Sequence, residues 1–321
     1  MRKLLKIFCL AGLVLVLAGG AVFGVGMIFA KGDLKALSHL KSVEYTYAES
    51  AENPIESIEI DYDCSADIYV DFSDTAEKVS VQYAGLQTKR NKPASKLTLS
   101  DANGALKIVE RTKLVGKLNG FSFATQTKVV VTLPSDRTYS LVLDMDTGDI
   151  DFKGNANVKN LRLSTDTGDV DTENAVITCE GGMEIDVDTG DIELGTFTTK
   201  SLNIESDTGD INLKNGTASE KIELSTDTGD MEIEGLLIAK EIVIETDTGD
   251  CETDGGCLDA DVIRLEADTG DIEVNLAGLQ SDYAIYVDKD TGECNVSSQE
   301  GGERKLFIET DTGDIYVTFK N

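Results

Sequence analysis

Whatever chemistry this chain can do rests on one four-residue phrase. Asp-Thr-Gly-Asp begins at Asp146, Asp166, Asp188, Asp207, Asp227, Asp247, Asp268 and Asp311, and a further copy at Asp290 reads Asp-Thr-Gly-Glu. Three chemistries suit these residues. Asp-Thr-Gly is the triplet of aspartic proteases, where two carboxylates share one proton; nine evenly spaced copies are a structural period rather than a catalytic pair. Carboxylates are also the hard oxygen ligands that calcium takes. That makes candidate ligands of Asp146, Asp149, Asp166, Asp169, Asp188, Asp191, Asp207, Asp210, Asp227, Asp230, Asp247, Asp250, Asp268, Asp271, Asp311 and Asp314. The phrase departs from the Gly-Gly-x-Gly-x-Asp series of calcium rolls. In the third chemistry each Asp caps its own bend, a short carboxylate accepting a backbone N–H as in an Asx turn. Capping is the simplest reading, so no cofactor is expected, and calcium is the alternative.

The elements that must position these residues follow from the spacing. Successive copies start 20, 22, 19, 20, 20, 21, 22 and 21 residues apart, the mark of a stacked repeat. Apolar residues stand five and three before the first Asp (Ile222, Leu224) and four and six after it (Met231, Ile233) in nearly every copy. That alternation is the period of a half-buried strand on either side of a bend, and the Gly supplies the turn. The fold class expected is all-β: a β-solenoid, parallel β-helix-like, of about 20-residue coils stacked roughly 4.8 Å apart. Stacking turns each Asp position into a column. A further acidic stripe lies two residues before the first Asp, at Asp144, Asp186, Glu205, Glu245, Glu266, Asp288 and Glu309. Like charges this close repel by about 1 kcal/mol per neighbour in water, so something must offset the repulsion.

Four regions precede or make up the stack. In residues 1–32, Arg2, Lys3 and Lys6 lead an uncharged run of 24 residues, Ile7 to Ala30, long enough to span a bilayer as an uncleaved anchor. The basic flank places the N-terminus in the cytoplasm and the rest of the chain outside. Residues 33–45 read as a juxtamembrane spacer holding the single histidine, His39, which takes no role. Residues 46–140 read as an N-terminal β cap with degenerate opening coils, Ser57 to Val70 being a weak copy of the repeat. Residues 141–321 are the nine-copy solenoid. Its last coil is expected to be uncovered and to meet a partner or a second copy of itself, because open strand edges are normally hidden.

Charge narrows the partners. Residues 141–321 hold 44 acidic and 12 basic side chains, net −32, within a whole-chain charge of −30. Nucleic acid and anionic lipid are poor partners for such a surface. Zero Trp and few aromatics weigh against a carbohydrate-stacking platform. Basic loops at Lys89-Arg90-Asn91-Lys92 and from Arg111 to Lys117 read as solvated. Cys251 and Cys294 fall in an apolar column two coils apart, too far for a disulfide; the pairing of Cys64, Cys179 and Cys257 is open. Nothing resembles a zinc site or a catalytic constellation, and no enzyme is expected. A polysaccharide-acting enzyme on such a stack would need a local acidic-basic cluster in a groove.

The membrane segment, Ile58-Glu59-Ile60 with Ser65-Ala66-Asp67-Ile68, Val131-Thr132-Leu133-Pro134 and the recurring Thr-Gly-Asp-Ile bends together resemble the bacterial adhesin-like family of β-strand-repeat proteins, a domain of unknown function that includes LiaG-like membrane-anchored proteins of Gram-positive bacteria. The resemblance covers residues 46–321. It implies an extracytoplasmic structural or adhesin-like interaction module at the cell envelope, held to the membrane by its N-terminal helix and meeting a protein or an envelope polymer. It implies no active site.

Overall fold

The computed structural model describes residues 40–88, 90–112 and 127–320. The expected membrane segment, His39, Lys89 and the basic stretch 113–117 lie outside the described residues. Among the described residues no helix is long and apolar enough to cross a membrane.

The all-β expectation holds. Nine strands lead into the repeat: β1 (Leu40–Ala48), β2 (Ser57–Tyr62), β3 (Ala66–Ser73), β4 (Ser80–Thr88), β5 (Ser95–Ala102), β6 (Ala105–Thr112), β7 (Thr127–Pro134), β8 (Tyr139–Met145) and β9 (Ile150–Thr165). From β9 as far as the unit at Asp268 each unit pairs in parallel with the next, like residue on like. Leu163 faces Ile185, then Ile204, Leu224, Ile244 and Leu265 in turn. Beyond the bend Ile150, Val170, Ile192, Ile211, Met231, Cys251 and Ile272 do the same. These columns are buried and form one continuous core. Parallel ladders need both their apolar columns covered, and a coil that folds back on itself covers them from within.

The weak copy at Ser57–Val70 is a true coil. β2 pairs in parallel with β8 (Ile60 with Leu143) and β3 with β9 (Val70 with Phe152). Its other side is taken by β6 and β7, again in parallel (Ile60 with Ile108, Val70 with Val131). The chain thus builds β2–β3, moves outward to β6–β7, and returns inward to β8–β9. Antiparallel strands close this end: β5 on β6, β4 on β7 and β1 on β4. The spacer expected over 33–45 gives way from Leu40 onward, because residues 40–45 are six of the nine residues of β1.

One buried ion pair ties this cap to the stack. The Glu49 carboxylate is only 5% exposed and accepts the N–H groups of Ile55 and Val79, while Arg137 donates to both its oxygens at 2.8 Å. Arg137 also donates to the Ile55 carbonyl at 2.6 Å.

The far end corrects two expectations. The strand Arg304–Thr312 pairs with Cys257–Thr269 on one side and with Tyr283–Thr291 on the other. The unit at Asp311 therefore lies inside the unit at Asp290, which is outermost. Fittingly, that outer unit has half-buried residues in its apolar columns, at Val287, Cys294 and Val296. The last coil in sequence is neither terminal nor uncovered. The true end is closed by its own residues: Ile285 and Gln299 exchange backbone hydrogen bonds at 2.9 Å, and the Asn295 amide accepts from Val317 N–H and donates to its carbonyl. Arg304 fixes the returning strand by donating to the carbonyls of Ala260 and Ala277, and it pairs with Asp259 while lying over the Tyr283 ring. The column order is now Cys251, Ile272, Ile315, Cys294, so the two cysteines are three coils apart rather than two. All five described cysteines are free thiols.

Candidate functional site

The second Asp of the phrase does not cap its own bend. Its carboxylate accepts the backbone N–H of the equivalent residue one coil further on. Asp67 accepts from Asp149, Asp149 from Asp169, Asp169 from Asp191, Asp191 from Asp210 and Asp210 from Asp230. Asp230 accepts from Asp250, Asp250 from Asp271, Asp271 from Asp314, and Asp314 from Glu293. The nine bonds run from 2.7 to 3.3 Å and span the stack unbroken. A carboxylate accepting an amide proton is a charge-assisted bond, stronger than a neutral one. This is the term that offsets the repulsion along the column.

Bend geometry explains why the bond crosses between coils. In Gly168 φ is +144° and the preceding coil's Gly148 carbonyl lies 2.0 Å from where a Cβ would stand. The same approach recurs up the column, so only glycine fits. In four coils the glycine carbonyl is in turn met by a buried hydroxyl: Thr165 donates to Gly148 at 3.2 Å, and Thr226, Thr246 and Thr310 donate to Gly209, Gly229 and Gly270 at 3.5 Å. The Asp rung forms equally in coils without that hydroxyl, where Met145, Val187 or Ala267 stands in its place. Buried backbone groups are nearly always paired, and here side chains complete the pairing. The threonine one residue before the phrase is a role that sequence reasoning missed; its signal is a polar residue in an apolar column.

The first Asp column, from Asp166 to Asp311, stands exposed at the coil corner, with Asp146 half-buried. Of the sixteen predicted calcium ligands, none joins the one group of three acidic side chains whose oxygens lie within 4.8 Å of one another among the described residues. That group is Asp171, Glu173 and Glu193. It borders a concavity of about 190 Å³ that Asp149, Asp169 and Asp191 also line. Lys214 already reaches Glu173 at 2.6 Å, supplying a cation from the chain itself. Asp171 and Glu193 belong to an acidic stripe five residues after the first Asp, with Asp151, Glu232, Glu252 and Glu273, which the −2 stripe had overshadowed.

Crowding shows in the titration of both stripes. Burial, then neighbouring carboxylates, push Asp144, Asp151, Asp186, Glu193, Glu252 and Glu266 above the usual carboxylate range. A raised folded-state value means the folded chain binds protons more readily than the unfolded one in that window. Stability therefore falls as pH rises through it, and mild acid restores what is lost. Thermal melts at constant ionic strength should show Tm rising by a few degrees between about pH 7 and about pH 5. A Tm that falls over that range would contradict this electrostatic picture.

The family model described as Toastrack DUF4097 matches residues 55–321. The chain belongs to that family. Solved structures similar to this Toastrack chain include a candidate adhesin from Bacteroides fragilis, 17% identical, covering 86% of this chain and 97% of its own, with a TM-score of 0.38. A candidate lipid-binding protein from Parabacteroides distasonis is 15% identical over 85% of this chain and 96% of its own, TM-score 0.47. A candidate adhesin from the same organism is 14% identical over 86% and 97%, TM-score 0.41. Similarity this low carries no function across. No curated protein matches the Toastrack chain.

Proposed function

We propose that this chain is a membrane-anchored, extracytoplasmic β-repeat module, acting through its surface as a structural or adhesin-like partner at the bacterial cell envelope. The unbroken carboxylate ladder is the observation that supports the reading. Every coil spends its signature Asp on the next coil's backbone, which makes a stiff stack with repeated outward faces. Basic side chains of the repeat sit in scattered exposed pairs such as Arg162–Glu184 and Lys200–Glu220, so the polysaccharide-acting enzyme is the weaker reading. The uncharged run Ile7 to Ala30 behind its basic flank supports the anchor and the outward placement.

The test uses cells making the full chain. Protease added outside should cut the Toastrack region, and envelope fragments should be retained by these cells but not by cells lacking the chain. A region that protease reaches only after lysis would overturn the reading.

A second reading, a calcium-binding envelope ectodomain, is favoured by the Asp171, Glu173 and Glu193 group. Ligand that binds only the folded state must stabilise it. Melts of the full chain with added calcium and with added chelator decide between the two: a rise of several degrees with calcium supports metal binding, and superimposable curves leave the purely structural role.

A further inference from the structure

Towards the Asp290 end, one outward face of the stack changes character. Four residues before the first Asp, the opening unit places Val142 and the next four Arg162, Glu184, Asn203 and Glu223. The last four in space place Val243, Arg264, Phe307 and Tyr286, in register. Phe307 is held between the Arg264 guanidinium, 4.3 Å from its ring centre, and the Tyr286 ring, 4.9 Å away with planes 12° apart. Tyr286 itself stays 45% exposed, so packing has not used up its ring.

Beside this aromatic wall runs a row of carboxylates. Glu245, Glu266, Glu309 and Asp288 face one another across adjacent strands, about 4.8 Å apart along the stack. None of the four makes an ion pair with a described basic side chain, and Arg264 is directed to Glu241 at 3.3 Å. Burial, then Glu245 and Glu309, hold the Glu266 carboxyl above its usual range, a repulsion that no described basic side chain relieves. With Ser298 from the covering segment at one end, the two walls enclose a groove of about 570 Å³, within the size of small-molecule sites.

We propose that this groove binds a linear aliphatic polyamine, its ammonium groups on the carboxylate row and its methylenes along the Tyr286–Phe307 stack. An anion is excluded by the row. A metal ion wants six to eight oxygens around it and gains little from an aromatic wall. A neutral sugar leaves the carboxylate repulsion in place. Alkylammonium chains satisfy both walls at once: the stems bury against apolar surface while the heads stay paired, and an ammonium near a tyrosine face is attracted by the ring.

The test is calorimetric titration of the full chain with spermine at fixed ionic strength. One saturable site per chain is expected above diffuse acidic-surface binding. Tyr286→Ala and, separately, Glu266→Gln should each weaken it about tenfold, and Tyr286→Phe should keep it. Asp227→Asn, which removes equal charge elsewhere, should leave it unchanged. The two weakening variants lie on different walls, so misfolding of one, seen as a lost melt, leaves the other to decide. Equal losses in Asp227→Asn and Glu266→Gln would overturn the proposal, as would tetralysine binding where spermine does not, or the lack of any saturable site.

Discussion

Gly229→Ala is expected to lower the free energy of unfolding by about 3–5 kcal/mol. Two costs coincide there. The backbone holds φ at +153°, where residues with a Cβ are strained, and a Cβ would meet the Gly209 carbonyl oxygen at 2.0 Å. That oxygen belongs to a backbone fixed by its own coil and cannot swing aside as a flexible side chain would. Relief would require the coils to part at the bend, breaking the Asp210–Asp230 rung at 2.9 Å. Gly255→Ala is the matched control. Its φ of +75° is also left-handed, but nothing lies within 4 Å of the new atom, so the cost should stay near about 1 kcal/mol. Denaturant unfolding of both variants measures the difference, and equal losses would mean that the close approach between coils does not matter.

The second large effect lies in the N-terminal cap. Glu49→Ala should cost about 3–5 kcal/mol, the usual consequence of removing one member of a buried, hydrogen-bonded ion pair. The Ile55 and Val79 N–H groups and the Arg137 guanidinium would all lose their acceptor. Burial alone would raise the Glu49 pKa, but Arg137 and the two amides overcome it and hold the carboxyl down at about 2. The sign of the pH effect is thus opposite to that of the repeat carboxylates. A depressed value contributes stability that is complete above the unfolded-state pKa and is lost as pH falls towards about 2. The wild-type chain should therefore gain stability down to about pH 5 and lose it steeply below about pH 4, and Glu49→Ala should lack most of the acid limb. An acid limb unchanged in the variant would remove Glu49 from that role.

The stack was legible in the sequence because its signal is periodic. Ile222, Leu224, Met231 and Ile233 and their counterparts recur at fixed offsets from the bend, and those columns are the buried ones. The opening coil at Ile58–Val70 was legible for the same reason. Threading order was not. The units at Asp290 and Asp311 share turn and spacing, and nothing in a local pattern says which lies outside; only the departures Lys289 and Glu293 hinted at the exposed position. The carboxylate ladder was half legible. A short Asp beside a glycine bend signals a backbone cap, but capping within a coil and between coils use the same residue, and only the stacking of one bend on the next brings the partner N–H within reach. The groove at Tyr286 and Phe307 was hidden because those rings meet only after the chain skips a coil.

The central claim is that the second Asp of each phrase holds the next coil through its carboxyl oxygen, the charge assistance to that bond being cancelled by the repulsion along the column. Comparing Asp230→Asn with Asp230→Ala in chemical denaturation tests it most directly. Asparagine keeps the acceptor that meets Asp250 N–H at 2.9 Å and removes a repelling charge, so Asp230→Asn should be as stable as the wild type or slightly more so, while Asp230→Ala should lose about 1–2 kcal/mol. Equal losses in the two variants would show that the negative charge itself is what the column needs, and would contradict the account.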